Sequence, residues 1–199
     1  GLIGRPGIVW CNLYRGAVRS QWRLDESVSG GLLLELCLHH FDLLSWFSDA
    51  EPVRVSGTKR QTEDNSGYDA ASIDIEFSNG VVGSLVLSLF TEFEQDIEMG
   101  IVADAGILKS SHKADSLTLT SREHPDGKSI PVPTVEPKEY GFCGARRQFE
   151  AFIESINKNT EPLNSLAGSK SSLAIGLAAQ QALKSRQPVE IETLLSFRG

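Results

Sequence analysis

Residues 71–90 (ASIDIEFSNGVVGSLVLSLF) decide the fold class. Residues 71–77 alternate apolar and polar side chains, which is typical of a strand with one buried face. The turn-forming Ser78-Asn79-Gly80 follows, and residues 81–90 are a second apolar run. An Asn-Gly step between two such runs is the strongest short-range signal for a β-hairpin. The sequence therefore predicts an antiparallel strand pair here.

Further strands and three helices are predicted on both sides of this hairpin. Short β-rich runs between turn-forming residues occupy residues 8–14, 53–59, 97–103, 106–110, 116–121 and 189–192. Apolar residues recur at helical spacing in residues 31–47, 142–158 and 165–185. In the second of these helices, the residues expected in the core are Phe149, Phe152, Ile153 and Ile156. Residues 124–140 contain four prolines and are typical of an extended surface connection.

The order of these elements predicts an α+β fold. A helix, several mainly antiparallel strands, two helices and a last strand form an open, mainly antiparallel (mixed) sheet with helices packed on one face. Residues 81–90 are apolar on both registers of the strand, so the other face of the sheet is available for oligomerisation. We expect a homodimer or a tetramer formed through the sheet.

Composition and charge exclude several classes of protein. The chain has 199 residues, of which 40% are hydrophobic and 23% charged, as in soluble globular domains. A net charge of -7 argues against nucleic acid as a partner, because nucleic-acid binders concentrate Lys and Arg. No apolar run reaches the roughly 20 residues of a membrane helix. Cys11, Cys37 and Cys143 lack a CxxC pair and are interpreted as reduced thiols, so we expect a cytoplasmic protein without a zinc site.

Residues 31–47 (GLLLELCLHHFDLLSWF) form the most informative predicted helix. Glu35, His39, Asp42 and Trp46 fall on one stripe at about 100° per residue, and nearly all other positions are apolar. A helix that is apolar almost all round is buried, so its polar stripe indicates the wall of a cleft. Glu35 lies one turn before His39, where a carboxylate can orient the imidazole and stabilise its protonated form. Such an imidazole is suited to exchanging a proton near neutral pH.

The same pattern has other interpretations. A Glu and a His four residues apart also form ordinary intrahelical salt bridges, and a lone His on an apolar helix is often a hydrogen-bonded core residue. Glu35 and His39 could instead be metal ligands, but such a site needs a third ligand that the sequence does not identify. Before the helix, Ser29 is a candidate N-cap, and Gly30-Gly31 removes side chains where a ligand could approach the backbone.

The order and spacing of these motifs resemble a known family. Residues 22–25 (WRLD), 29–31 (SGG) and 33–42 (LLELCLHHFD) resemble the C-terminal domain of the glucose–fructose oxidoreductase / inositol dehydrogenase / rhizopine catabolism (Gfo/Idh/MocA) family. That family has an aromatic-Arg step, a Gly-Gly turn, and then Asp or Glu, three residues, His, two residues and Asp. Glu35 stands where Asp is frequent, and Cys37 where Gly is frequent. The resemblance covers essentially the whole chain.

The resemblance implies an NAD(P)-dependent oxidoreductase that acts on CH–OH groups. In this family an N-terminal Rossmann domain binds NAD or NADP, and the second domain contacts a sugar, cyclitol or related polyol. Hydride passes from a secondary alcohol to the nicotinamide while a proton leaves the hydroxyl. The catalytic pair would be His39, as acid/base or polarising group, and Glu35, which holds the hydroxyl or the imidazole ring. The other implied site residues are substrate-binding Arg23, Trp22 and Asp42 and, for close approach of the cofactor, Gly30 and Gly31.

Several of these residues also have structural interpretations. Trp22 and Arg23 could brace the Gly-Gly turn, and Asp42 could accept hydrogen bonds from a neighbouring backbone or loop. A non-catalytic assembly or binding domain of the same fold is therefore a second hypothesis. The two hypotheses differ in whether His39 affects turnover.

The sequence also lacks two features of the complete family pattern. No GxGxxG motif follows a strand, and no Glu-Lys-Pro occurs. In addition, the first residue is Gly1 rather than Met. We therefore expect residues 1–199 to be the substrate-binding and oligomerisation domain of a two-domain oxidoreductase, with the N-terminal Rossmann domain absent. On this expectation the isolated chain is inactive, because the turn that cradles the cofactor phosphates is missing. The identity of the polyol and the choice of NAD or NADP are not encoded here.

Overall fold

A single open sheet organises the computed structural model, which describes residues 2–62, 67–92, 96–111, 116–132, 145–162 and 165–192. Its strands are β1 (Pro6–Tyr14), β2 (Pro52–Gln61), β3 (Tyr68–Phe77), β4 (Val82–Ser88), β5 (Asp96–Ala103), β6 (Gly106–Ser111), β7 (Ser116–Ser121), β8 (Lys128–Pro131) and β9 (Val189–Glu190). They lie in the order β8-β7-β6-β5-β1-β4-β3-β2-β9. The pair β1 and β4 is parallel, and the other neighbouring pairs are antiparallel. The predicted mixed, mainly antiparallel sheet is confirmed.

Two long helices cover one face of this sheet. The helices are α1 (Gln21–Leu24), α2 (Glu26–Ser29), α3 (Leu32–Ser48), α4 (Ala145–Lys158) and α5 (Leu166–Ser185). Helices α3 and α5 pack on each other, α3 contacts β1 and β4, and α5 contacts β2 and β9. The predicted α+β class, with helices on one face, is therefore confirmed. No helix in the described ranges is long and apolar enough to cross a membrane.

The core lies between this helix layer and the sheet. In β1 the side chains of Val9, Cys11 and Leu13 are at most 2% exposed, whereas the alternate residues are less buried. This alternation is the two-residue period of a strand with one face against a core. From the helix side, Phe41 and Leu44 of α3 are fully buried against it. The first strand and first long helix are thus fixed on each other by apolar burial.

The predicted hairpin between β3 and β4 is confirmed in detail. Gly80 has a φ of +85°, which glycine adopts without strain, and its N–H donates to the carbonyl of Phe77. Asn79 accepts a hydrogen bond from the Val81 N–H at 3.1 Å through Oδ1. Its Nδ2 donates to the Ser48 carbonyl at the end of α3, at 2.8 Å. One turn residue therefore closes the hairpin and ties it to the helix that carries the polar stripe.

Four sequence-based expectations differ from the structure. Residues 21–29, in which no helix or strand is predicted from the sequence, contain the short helices α1 and α2, and the predicted proline-rich connection contains β8. The N-cap of α3 is Gly31 rather than Ser29. The α4 side chains that the sequence predicts in the protein core are exposed instead. Their exposed fractions are 59% for Phe149, 52% for Phe152, 55% for Ile153 and 62% for Ile156. The last expectation is wrong because helical spacing indicates an apolar face but not what covers it. Cys143 and residues 133–144 of the predicted connection and helix lie outside the described residues.

Candidate functional site

The Gly30-Gly31 turn lies where α2 ends and α3 begins. Gly30 has a φ of +78° and Gly31 a φ of +92°, a region that side chains strongly disfavour. A Cβ on Gly31 would lie 2.6 Å from Gln180 Nε2, and a Cβ on Gly30 would lie 2.9 Å from Leu34 Cδ1. Gln180 of α5 also donates to the Gly30 carbonyl. Backbone conformation and packing against the chain itself thus require both glycines, and close approach of a cofactor here stays a prediction.

Ser29 holds this turn together from the side of α2. Its hydroxyl oxygen accepts a hydrogen bond from the Gly31 N–H at 2.9 Å. The hydroxyl lies 3.0 Å from the Arg23 carbonyl and 3.1 Å from the Asp25 carbonyl, and it can donate to one of them at a time. Ser29 therefore lies two residues before the N-cap of α3, although the sequence predicts it as the N-cap itself. It links the backbone of Arg23 to the start of α3.

Glu35 is paired with Arg23 in the first turn of α3. Arg23 Nε lies 3.1 Å from Glu35 Oε1, although the contact lacks hydrogen-bond geometry at Nε. The Glu35 side chain is only 15% exposed, and its buried Oε2 has no hydrogen-bond partner among the described residues. The Arg23 guanidinium also lies 5.3 Å from the Trp22 ring centre. The sequence missed Arg23 as the ionic partner of this carboxylate, because a pairing across a turn leaves no periodic signal.

His39 lies one turn further along α3 and is exposed. Its ring centre lies 3.9 Å from that of His40, which is buried. Partial burial lowers the pKa of His39 below 6.5, while the negative charge of Glu35 opposes this shift. The imidazole is therefore mainly neutral near neutral pH and able to accept a proton. Glu35 is sheltered and His39 accessible, which is the arrangement that a proton-exchanging site needs.

The second half of the stripe is also at the surface. Asp42 is exposed, and its Oδ1 accepts a hydrogen bond from Ser172 Oγ of α5 at 2.9 Å. Trp46 is 75% exposed. Asp42 thus has a structural role in joining the two long helices, and it keeps a second carboxylate oxygen for another partner. The sequence could not identify Ser172, which is 130 residues away.

A cavity of about 910 Å³ lies beside the same turn, but it does not include the Glu35 and His39 side chains. Its walls include Trp22 and Gly31, Tyr68 at the start of β3, and Lys184 at the end of α5. Lys184 is ion-paired with Glu26 across this cavity. The predicted site residues are thus divided, with Trp22 and Gly31 on the cavity and the polar stripe on the outer surface of α3. The exposed imidazole of His39 lies on the stripe and does not line the cavity.

The structure brings together no metal-binding group in the part of the chain that it describes. Three or more His, Cys, Asp or Glu side chains do not converge there. Glu35 and His39 would therefore need a further ligand from outside those ranges to bind a metal ion. The geometry of the stripe gives the metal hypothesis no added support.

Comparison with known proteins identifies the family. A sequence model of the GFO/IDH/MocA C-terminal domain matches residues 1–109, which is more than half of the chain. The chain belongs to the GFO/IDH/MocA family. The match includes β1, the Gly-Gly turn and the whole of α3, so the predicted family is confirmed.

Two curated dehydrogenases are similar to this chain. The first is scyllo-inositol 2-dehydrogenase (NAD(+)) from Bacillus subtilis, 23% identical over 208 residues, covering 100% of this chain and 58% of that protein. The second is Myo-inositol 2-dehydrogenase from Thermotoga maritima, 21% identical over 174 residues, covering 84% of this chain and 51% of that protein. The chain therefore spans little more than half the length of these relatives.

Solved structures show the same fold. An oxidoreductase domain protein from Kribbella flavida superposes with a TM-score of 0.78 at 20% identity, covering 96% of this chain and 59% of that one. An oxidoreductase from Agrobacterium radiobacter, solved in complex with NAD+, L-tartaric acid and magnesium, has a TM-score of 0.76 at 14% identity. That match covers 98% of this chain and 59% of that one. The fold shared with these two oxidoreductases thus extends over nearly the whole chain.

Proposed function

We propose that residues 1–199 are the substrate-side domain of an NAD(P)-dependent oxidoreductase that acts on a secondary alcohol of a sugar, cyclitol or related polyol. One observation carries the proposal: the exposed, mainly neutral imidazole of His39 lies one turn from the sheltered carboxylate of Glu35. The two inositol dehydrogenases named above support the class of substrate, because the name of each contains an inositol, which is a cyclitol. The name of the first also gives NAD(+) as the cofactor.

The two residues have different roles in this reaction. Oxidation of an alcohol releases a proton from the hydroxyl, and His39, whose pKa lies below 6.5, is available to accept it. The negative charge of Glu35 favours the protonated form of His39 that proton uptake produces, whereas its Oε2 is buried in this conformation and has no partner among the described residues. The positive charge of Arg23 keeps this carboxylate oriented at the start of α3. The nicotinamide, when bound, accepts the hydride.

The other predicted site residues lie before the Gly-Gly turn, within it, or further along α3. Arg23 and Trp22 precede the Gly-Gly turn, and Asp42 follows His39 by three residues on the exposed side of α3. We propose substrate contacts for Trp22, Arg23 and the free oxygen of Asp42. We also propose that the cofactor, NAD or NADP, approaches the chain near Gly30 and Gly31. Most of its contacts would come from an N-terminal Rossmann domain, which fits the fact that the chain spans 58% and 51% of two relatives.

The open face of the sheet supports a proposed assembly role. Ile8 is 46% exposed and Val82 43%, and the two are register partners in β1 and β4. The row continues through Val102 of β5, which pairs with Ile8, to Ile107 of β6. An aliphatic row across four strands is suited to a symmetric contact with a second copy. We propose a homodimer or tetramer through this face; if the chain does only this, it is a non-catalytic assembly domain.

The proposal is tested on the complete polypeptide and on the 199-residue chain. We expect the complete polypeptide to reduce NAD or NADP with at least one compound in a panel of inositols, sugars and linear polyols. We expect calorimetry to detect no micromolar nucleotide binding by residues 1–199 alone, because they lack the phosphate-binding turn. Tight nucleotide binding by the isolated chain, or no turnover of any polyol by the complete polypeptide, would contradict the proposal.

A further inference from the structure

Glu35 has a different ionic partner from the one that helical spacing predicts. The spacing places Glu35 one turn before His39, as a carboxylate that orients the imidazole. In the structure Glu35 Oε1 lies 3.1 Å from Arg23 Nε, and within the described residues Glu35 forms no ion pair with His39. Its negative charge nevertheless raises the pKa of His39, against the larger effect of burial. The Arg23 guanidinium and the protonated imidazole therefore share one carboxylate.

Two neighbours, Ser29 and Trp22, fix Arg23 beside this carboxylate. The Ser29 hydroxyl lies 3.0 Å from the Arg23 carbonyl and accepts a hydrogen bond from the Gly31 N–H at 2.9 Å. The backbone of Arg23 is thereby joined to the N-cap of α3, four residues before Glu35. The guanidinium itself lies 5.3 Å from the Trp22 ring centre. Because backbone and ring already restrict it, the guanidinium loses less freedom on pairing than one on an open surface.

Shelter makes the Glu35 charge effective over a distance. The Glu35 side chain is 15% exposed and the Arg23 side chain 33%. Water and salt screen such a pair less than they screen a fully exposed one. Removal of the Arg23 charge should therefore increase the negative field of Glu35 at other groups on α3.

The elements packed on α3 add few charges that compete with this one. Strands β1 and β4 contain no Asp, Glu, Lys or Arg. The charged residues of α5 are Lys170 and Lys184, near its two ends, and Lys184 is paired with Glu26 of α2. On α3 itself, Asp42 accepts a hydrogen bond from α5, and burial lowers the pKa of His40 to about 4, so His40 is neutral near pH 7. Among the described residues, Glu35 is thus the charged group that acts on His39.

We propose that Arg23 is a positioning residue that holds Glu35 at the start of α3 and shields His39 from its charge, while Ser29 fixes the backbone of Arg23. The inference rests on the proposed function, because it concerns the imidazole that takes up the proton in that reaction. Beyond the orientation of the carboxylate named there, it assigns to Arg23 an effect on His39 and to Ser29 a role in fixing Arg23. Residues 22–23 and 29–31 then share one purpose, which is to keep His39 in the neutral form that accepts a proton.

The pKa of His39 in the complete polypeptide, without nucleotide or polyol, tests this inference. It is measured by NMR titration of ¹³C-labelled histidine rings, and the His39 signal is assigned by its loss in His39→Gln. We expect Arg23→Gln to raise the pKa of His39 by at least ~0.3, because the uncompensated Glu35 carboxylate favours the protonated ring. Arg23→Lys keeps the positive charge and should give a value within ~0.1 of the wild type.

A double-mutant cycle distinguishes action through Glu35 from direct repulsion between Arg23 and His39. In a Glu35→Gln background, Arg23→Gln should change the pKa of His39 by less than ~0.1. An unchanged or lower pKa in Arg23→Gln alone would overturn the proposal. The same rise with and without the Glu35 carboxylate would also overturn it, since Arg23 would then act on His39 directly.

Ser29→Ala and Ser27→Ala form a matched comparison for the anchoring role. Each variant removes one hydroxyl from α2, but the Ser27 hydroxyl donates to Asp25 Oδ1 at 2.6 Å and is not bonded to Arg23. We expect Ser29→Ala to raise the pKa of His39 by at least ~0.2, Ser29→Thr to restore the wild-type value, and Ser27→Ala to leave it unchanged. Equal values for the two alanine variants would overturn the role of Ser29. No titration requires turnover, so the expected shifts in an inactive polypeptide would refute the proposed function and leave the positioning role intact.

Discussion

His40 makes the stability of the chain depend on pH. It lies on the sheet side of α3 at 1% exposed, and neither ring nitrogen has a hydrogen-bond partner among the described residues. Burial, and then the adjacent His39, lower the pKa of His40 from 6.5 to about 4. The ring approaches the Leu36 carbonyl without hydrogen-bond geometry, which opposes the shift only in part. The folded chain therefore holds this imidazole in its neutral form.

The magnitude follows from the difference between the folded and unfolded states. The unfolded imidazole titrates near 6.5 and the folded one near 4, so the unfolded chain binds the extra proton first. The stabilising contribution is complete above about pH 6.5 and is lost as the pH falls toward 4. At about 1.4 kcal/mol for each pH unit, the full loss is about 3 kcal/mol, of which about 2 kcal/mol is gone at ~pH 5.

Urea unfolding of the wild type and of His40→Leu checks this prediction. Leucine has a similar volume and no unpartnered polar atom, so we expect the variant to match the wild type at ~pH 8 within about 1 kcal/mol. Between ~pH 8 and ~pH 5 the wild type should lose about 2 kcal/mol more than the variant. His124→Leu, in a surface turn, is the control and should keep the wild-type pH dependence. The same loss in His40→Leu as in the wild type would refute the reasoning.

Three further predictions concern the turns and the thiols. Gly31→Ala combines a φ of +92° with a contact at 2.6 Å from Gln180, so it should lower the free energy of unfolding by about 1–3 kcal/mol in urea titrations, and no loss would contradict the packing described. Asn79→Ala removes both side-chain hydrogen bonds of the hairpin turn and should cost about 1–2 kcal/mol, whereas Asn79→Asp, which keeps the acceptor, should cost less. Burial raises the pKa of Cys11 to about 12 and also raises that of Cys37, so peptide mapping should show both thiols labelled at least ~10-fold more slowly in the folded chain than in urea. Equal labelling in the two states would be inconsistent with their burial.

The sequence predicts the sheet and the long helices well because their signals are local. The Asn79-Gly80 step specifies one turn geometry, and the alternation in residues 71–77 specifies one buried face. The apolar character of α3 predicts its burial, and the structure places Leu33, Phe41 and Leu44 in the core. Short elements were missed because four-residue helices such as α1 and α2 have too few residues for a periodic signal.

The candidate site is predicted less completely because its contacts join distant residues. The stripe through Glu35, His39 and Asp42 is visible from spacing, but Arg23 and Ser172 as their partners are not. Helix α4 shows the converse limit. Its spacing predicts an apolar side, but the spacing does not determine whether that side is buried, and the side is exposed.

The central claim is that His39 exchanges the proton of the reaction, and turnover of His39→Gln in the complete polypeptide tests it most directly. Glutamine keeps a polar side chain but cannot accept the proton, so kcat should fall by roughly 10²–10⁴-fold while nucleotide binding by calorimetry stays unchanged. His124→Gln, in the surface turn, should turn over the polyol at the wild-type rate. A His39→Gln enzyme with wild-type kcat would contradict the account and favour a domain that serves only assembly.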